Sequence, residues 1–265
     1  MKLAAVTIEN FRGYHQSTRI EIGDLTALIG QNDAGKSTIL EALEIFFNDG
    51  KPDRGDACVY GGSPFIRVGC AFSALPEDVL LDVAVSTTLD AEHLLNEHGH
   101  LEIVKEWDVG GKGTKETTYA AALHPTNAET CDLLLLKIGD LRTRLKKLGI
   151  DEANVNLSVS SSLRQAIRDA CQPLVVARSM IPMDKEDAKK VWDQLKPQLP
   201  MYALFRSDRP SQDGDEEVQN PLKFAVAQAL RELAPDLKAV EDAVRQRAED
   251  VANRTLLKLK EMDAR

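Results

Sequence analysis

Three features of this sequence predict an α/β fold organised around a phosphate-binding loop. The run Gly30-Gln31-Asn32-Asp33-Ala34-Gly35-Lys36-Ser37-Thr38 is a complete G-x-x-x-x-G-K-[ST] pattern. Just before it, Leu25-Thr26-Ala27-Leu28-Ile29 reads as a short apolar strand. Behind it, Ile39, Leu40, Ala42, Leu43, Phe46 and Phe47 recur at helical spacing. A chance match to the loop pattern is expected about once in a hundred chains of this length, and the flanks reduce that further.

The residue types in the loop have a physical purpose. The glycines let the backbone fold closely around a polyphosphate, so that successive N–H groups point inward at anionic oxygens. The helix that opens near Lys36 adds a partial positive charge of roughly half a unit. Lys36 is positioned to reach the β- and γ-phosphates, and the Ser37 hydroxyl to ligate the Mg²⁺ that bridges them. Thr38 belongs to the first helical turn.

Composition narrows the possibilities. The 265 residues are enough for one large domain or two small ones. A net charge of −9 argues against a domain that simply coats nucleic acid, although a local basic surface is compatible with it. Cys58, Cys70, Cys131 and Cys171 show no C-x-x-C spacing and are expected to be free thiols in a reducing cytoplasm. His93, His98 and His100 lack a cysteine or carboxylate at ligand-like spacing and read as surface or loop histidines. No apolar run approaches the length of a membrane span, and the N-terminus turns polar at Glu9-Asn10-Phe11-Arg12, too soon for a secretion signal. A cytoplasmic protein with no membrane partner is expected.

Residues 1–125 are expected to form a β-rich lobe around one central helix. Residues 2–8 and 19–22 read as strands with a turn at Gly13 between them, and the helix runs from about Ser37 to Phe47. Residues 48–64, rich in Gly, Asp and Pro, read as a loop. Strand patterns follow at 65–72, 100–109 and 114–123, the last two joined by the hairpin signal Gly110-Gly111-Lys112-Gly113. Asp82, after Val79-Leu80-Leu81, lacks a second acid and a long strand to carry it.

Residues 126–198 read as a helical insertion, with helices over 127–148, over 160–171, and from a cap at Asp184 to Leu195, before Pro197. The basic stripe Lys137, Arg142, Arg144, Lys146 and Lys147 has no interleaved aromatics, so a solvated face is preferred to a nucleic-acid contact. Residues 199–219 comprise an apolar strand, 199–205, and a charged loop. There Arg206, Arg209 or Gln212 either senses nucleotide or a facing subunit, or lies on a plain surface. Residues 220–265 begin with the helix start Asn220-Pro221 and continue as a long amphipathic helix, read as an arm or dimerisation segment or as a helix packed on its own domain.

The strand followed by Asn10-Phe11-Arg12-Gly13, a second strand, and the run from Gly30 to Leu43 resemble the N-terminal ATP-binding lobe of the SMC/RecF group of ABC-type ATPases. Asn32-Asp33-Ala34 with Phe46-Phe47 following is most similar to the OLD (overcoming lysogenization defect) family. That resemblance implies that residues Gly30 to Thr38 hold the phosphates of ATP, with Lys36 as the catalytic cation and Ser37 as the Mg²⁺ ligand. It places Arg12 beside the nucleotide and gives Gln212 the part of the glutamine that touches Mg²⁺ and water. It further implies a homodimer or larger oligomer, DNA bound through the assembled complex, and a nuclease domain or subunit. The acidic strand end and serine-glycine signature of such ATPases are not found in this sequence. It is therefore expected to be the N-terminal portion of a longer protein, or a lobe completed by another chain, and weak as an ATPase alone.

Two other function classes compete. A non-hydrolysing assembly subunit would use nucleotide as structural glue. A GTP-dependent switch has only Asp108-Val109-Gly110-Gly111 in its favour, and the sequence contains no N-K-x-D guanine-reading motif.

Overall fold

The computed structural model of the chain describes residues 1–31, 35–77, 79–82 and 85–204. Its centre is a six-stranded sheet built from β1 (Lys2–Glu9), β2 (Thr18–Glu21), β3 (Phe65–Ser73), β6 (Leu101–Asp108), β7 (Lys115–Pro125) and β8 (Val176–Pro182). The strand order is β2-β1-β3-β6-β7-β8, and every neighbouring pair is antiparallel. A separate hairpin joins β4 (Val79–Asp82) to β5 (Val85–Thr87).

The two-residue side-chain period of a strand fixes which face is buried. In register across the sheet lie Ile20, Val6, Cys70, Ile103, Ala120 and Ile181, one apolar row on one face. Helix α1 (Lys36–Phe47) covers that face with Ile39, Ala42, Leu43 and Phe46, spaced three and four apart. Helix α4 (Glu186–Leu195) adds Ala188, Val191, Trp192 and Leu195 to the same core. The next row, Thr7, Gly69, Val104 and Tyr119, faces the other way. Charges line that open face: Arg67 bridges Glu9 and Glu106, and Arg178 bridges Glu97 and Glu102.

Helices α2 (Ile138–Lys147) and α3 (Ser160–Ala170) form a smaller core of Leu133, Leu141, Leu145, Leu163 and Ile167. It is tied to the main core by a buried ionic cluster. Arg164 donates to Glu92 through Nη2 at 2.6 Å and Nε at 2.9 Å, and also pairs with Asp187 on α4, while Arg168 donates to Glu92 at 2.9 Å. Charges so buried are stable only when paired, because desolvation costs each ion several kcal/mol.

Several sequence expectations need correcting. The strand expected at 25–29 does not form: no strand among the described residues pairs with it, and Leu25 and Ile29 stand 94% and 93% exposed. Residues 126–198 are not helical throughout, because β8 leaves this segment to become a sheet edge beside β7. The helix expected over 127–148 starts only at Ile138, after a short turn of 3-10 helix at Leu133–Leu135. Lys185, not Asp184, occupies the N-cap position of α4. Residues 199–204 form no strand; Phe205, the charged loop and all of 220–265 lie outside the described residues.

Burial pushes the Glu92 carboxyl up, but the hydrogen bonds and charges of Arg164 and Arg168 outweigh it and hold the group below its ordinary value. Its folded value lies below its unfolded one, so the stabilisation is complete above the ordinary carboxylate range and is lost as pH falls through the depressed value. Glu92→Gln is predicted to destabilise the fold at neutral pH by about 3–5 kcal/mol in urea unfolding and to flatten the decline on the acid side.

Candidate nucleotide-binding site

The site is assembled where α1 begins. Gly35 precedes the helix with φ of +83°, a left-handed conformation that disfavours any side chain. A Cβ there would also lie 3.1 Å from the ring of Tyr14, whose hydroxyl donates to the Gly35 carbonyl at 3.3 Å. Half-burial pushes the Tyr14 phenol up, so it remains a neutral donor. Glycine is thus required both by the backbone and by the neighbour that packs on it.

Among the described residues, no side chain caps the first turn of α1. It has no acidic residue, as is also true of α3, whereas α4 carries Glu186 and Asp187 in its first turn and α2 carries Asp140. An open helix N-terminus presents several N–H groups and a partial positive charge to an anion. Lys36 adds a full charge, its ammonium donating to the Gly30 and Gln31 carbonyls at 2.8 and 2.5 Å. The lysine thereby spans the loop from its helical to its upstream end. Ser37 is exposed beside it, and Thr38 is partly buried. This donor set fits a polyphosphate, with Ser37 as the residue that would hold Mg²⁺. Among the described residues, no group of three or more His, Cys, Asp or Glu side chains could hold a metal ion.

Arg12 lies at the flank of this turn. Its Nε donates to Asp56 at 3.0 Å, its backbone N–H donates to the Asp56 carbonyl at 2.7 Å, and its Nη1 pairs with Glu41 on α1. The guanidinium therefore ties the loop after α1 to α1 itself. Phe11, fully buried, and Asn10, with φ of +53°, form the rest of the anchor. Of the other sequence-predicted site residues, Gly30, Gln31, Gly35, Lys36, Ser37 and Thr38 are brought together here, while Asn32, Asp33, Ala34 and Gln212 lie outside the described residues. Tyr14, Glu41 and Asp56 were not evident as site residues. The one local signal was Asp53-x-x-Asp56, a capping box whose reciprocal side-chain bonds close the turn at 53–56.

The sequence matches the AAA ATPase domain family over residues 1–265. The chain belongs to the AAA ATPase domain family. It is a P-loop ATPase domain. A 56-residue stretch is 45% identical to an uncharacterized protein of Methanocaldococcus jannaschii, covering 21% of this chain and 17% of that protein. Over 108 residues the chain is 32% identical to the SkfA peptide export ATP-binding protein SkfE of Bacillus subtilis, covering 40% of each. The matches thus span less than half the length of either relative. Among the described residues of this AAA ATPase domain, no helix is long and apolar enough to cross a membrane.

Gly35→Ala is predicted to destabilise the domain by about 1–3 kcal/mol through the unfavourable backbone and the crowding of Tyr14. Chemical unfolding of the two proteins side by side measures it.

Proposed function

We propose that this AAA ATPase domain is the ATP-binding lobe of an OLD-like member of the SMC/RecF group. In this reading it closes as a homodimer around two Mg²⁺-bound ATP molecules and couples that closure to DNA metabolism or anti-phage defence, with a nuclease in the same polypeptide or a partner. The observation that carries the reading is the first turn of α1, where Gly35 is followed by Lys36, an ammonium suited to a β,γ-phosphate, and by Ser37, a hydroxyl oxygen suited to its Mg²⁺. Arg12, beside it, belongs to the scaffold that fixes the nucleotide's surroundings.

A second observation supports a lobe that needs completion. The segment before the loop presents Leu25 and Ile29 to solvent and has no strand partner among the described residues, while Leu28 packs on the core. An exposed apolar segment with strand-like sequence of this kind is suited to pairing with a further strand. That strand belongs, in this reading, to the remainder of the ATPase core, which also supplies the water-polarising acid and the signature of the opposite subunit.

A non-hydrolysing assembly role is the alternative. It is favoured by one feature: Glu41 and Asp56, the carboxylates at the flank of the turn, are both engaged by Arg12 and so are poor candidates for a base.

Titration of MgATP into the whole protein and into Lys36→Ala tests the main reading. Loss of the lysine is expected to weaken binding at least about tenfold, equivalent to roughly 1.4 kcal/mol. In the completed polypeptide, the wild type is expected to dimerise and turn over ATP, and the variant to do neither. Equal binding by both proteins would rule the reading out, and ATP-driven dimerisation without turnover would select the assembly role.

A further inference from the structure

Strand β8 lies at one end of the sheet, with β7 as its one strand neighbour among the described residues. Successive residues of an antiparallel strand point their N–H and C=O groups alternately to either side. Leu123 N–H donates away from β8, to the Leu95 carbonyl, whereas Thr126 N–H donates to the Val175 carbonyl and Met183 N–H to that of Thr118. The register pairs His124 with Ala177, Ala122 with Ser179 and Ala120 with Ile181, so these are the residues of β8 that bond to β7. Val176, Arg178 and Met180 therefore turn their main-chain groups outward, where no strand among the described residues meets them.

The two ends of the sheet are built differently. β2, at the other end, has four residues and includes Arg19 and Glu21, and short charged strands discourage pairing. β8 is seven residues long, with Val176 45% and Met180 43% exposed, and Val175 just before it 60% exposed. Its one charged side chain is already engaged: Arg178 donates to Glu97 at 3.0 Å and to Glu102 at 2.6 Å. A long edge of exposed apolar residues, with its charge turned elsewhere, is one that another strand joins.

We propose that β8 pairs antiparallel with β8 of a second copy of this chain, about a two-fold axis at Arg178. The outward residues select this occupant and this register, because they are spaced symmetrically around Arg178. With Arg178 opposite its counterpart, Val176 of one copy falls opposite Met180 of the other, and the three positions exchange about six main-chain hydrogen bonds. Val176 and Met180 lie on the sheet face that α1 leaves open, so an apolar side chain meets an apolar one at both ends of the contact. The two Arg178 guanidiniums approach across the axis, and the two carboxylates that each one holds offset their repulsion. On the other face Ala177 falls opposite Ser179, and both are too small to obstruct the approach. The contact is isologous and extends one sheet through both copies.

This pairing uses no nucleotide and is separate from the ATP-driven closure proposed above. One strand edge buries well under about 1,000 Å², the range of weak interfaces, and a Kd of about 10–100 μM is expected. It is therefore sparsely populated at the low micromolar concentrations where the ATP-driven closure is read.

Sedimentation equilibrium of the whole protein without nucleotide, from about 1 to 500 μM, measures it. Met180→Pro removes an outward N–H and spares the bonds to β7, and is expected to weaken self-association at least about fivefold. Val176→Glu and Met180→Lys, made singly, set a charge against an apolar side chain and are expected to weaken it similarly. Made together they bring opposite charges face to face at both ends, and the Kd is expected to return to within about threefold of wild type. A wild type that stays monomeric throughout overturns the proposal. So does self-association unaltered by Met180→Pro, or a double variant as weak as the single ones. Amide exchange on the dilute monomer gives an independent reading, with fast exchange expected at Val176, Arg178 and Met180. Protection of those amides in the monomer means that the chain itself covers the edge, and also overturns the proposal.

Discussion

The open N-terminus of α1 is the constraint around which the other parts of this AAA ATPase domain are arranged. A helix end with unsatisfied N–H groups is normally capped, and the absence of a cap or acid here is tolerable only where an anion or water takes the donors. Holding such an end in place requires a rigid support behind it. The antiparallel sheet provides that support, because Ile39, Ala42, Leu43 and Phe46 lock the helix onto the apolar row of β1, β3 and β6. The start of α1 is thus positioned by burial at the far side of the helix.

A second layer of positioning comes from the Asn10-Phe11-Arg12 turn. Phe11 anchors it in the core, Asn10 holds the strand end at Phe65, and Arg12 joins the loop at Asp56 to α1. With Tyr14 packed over Gly35, one short turn contacts the phosphate loop, the helix behind it and the loop beyond. Resemblance alone assigned Arg12 to the nucleotide. The geometry gives it a structural partner on each side, Glu41 on α1 and Asp56 in the loop beyond.

How much of this was legible in the sequence depends on how local each determinant is. The start of α1 at Gly35 and the helix itself were legible because glycine and helical periodicity act over a few residues. So were β3, β6 and β7, whose long apolar or alternating runs need no knowledge of partners, and the glycine-rich turn between β6 and β7. β8 was not, because Val176, Ala177 and Arg178 are exposed at a sheet edge and carry little apolar pattern. Leu25–Ile29 had the pattern of a strand but has no neighbouring strand among the described residues to complete its hydrogen bonds, a condition sequence cannot supply. Tyr14, Glu41 and Asp56 are brought to the site by tertiary approach across 21, 29 and 44 residues, and no spacing rule announces them. The buried Arg164–Glu92–Asp187 cluster was equally hidden, since its members are spread over three segments.

The most direct measurement is backbone amide hydrogen exchange of the intact protein with and without MgATP. The account predicts new protection concentrated at Gly35, Lys36, Ser37 and Thr38, the donors of the open turn, with the sheet unchanged. Protection confined to other segments, or no change at these four amides at saturating ATP, would contradict it.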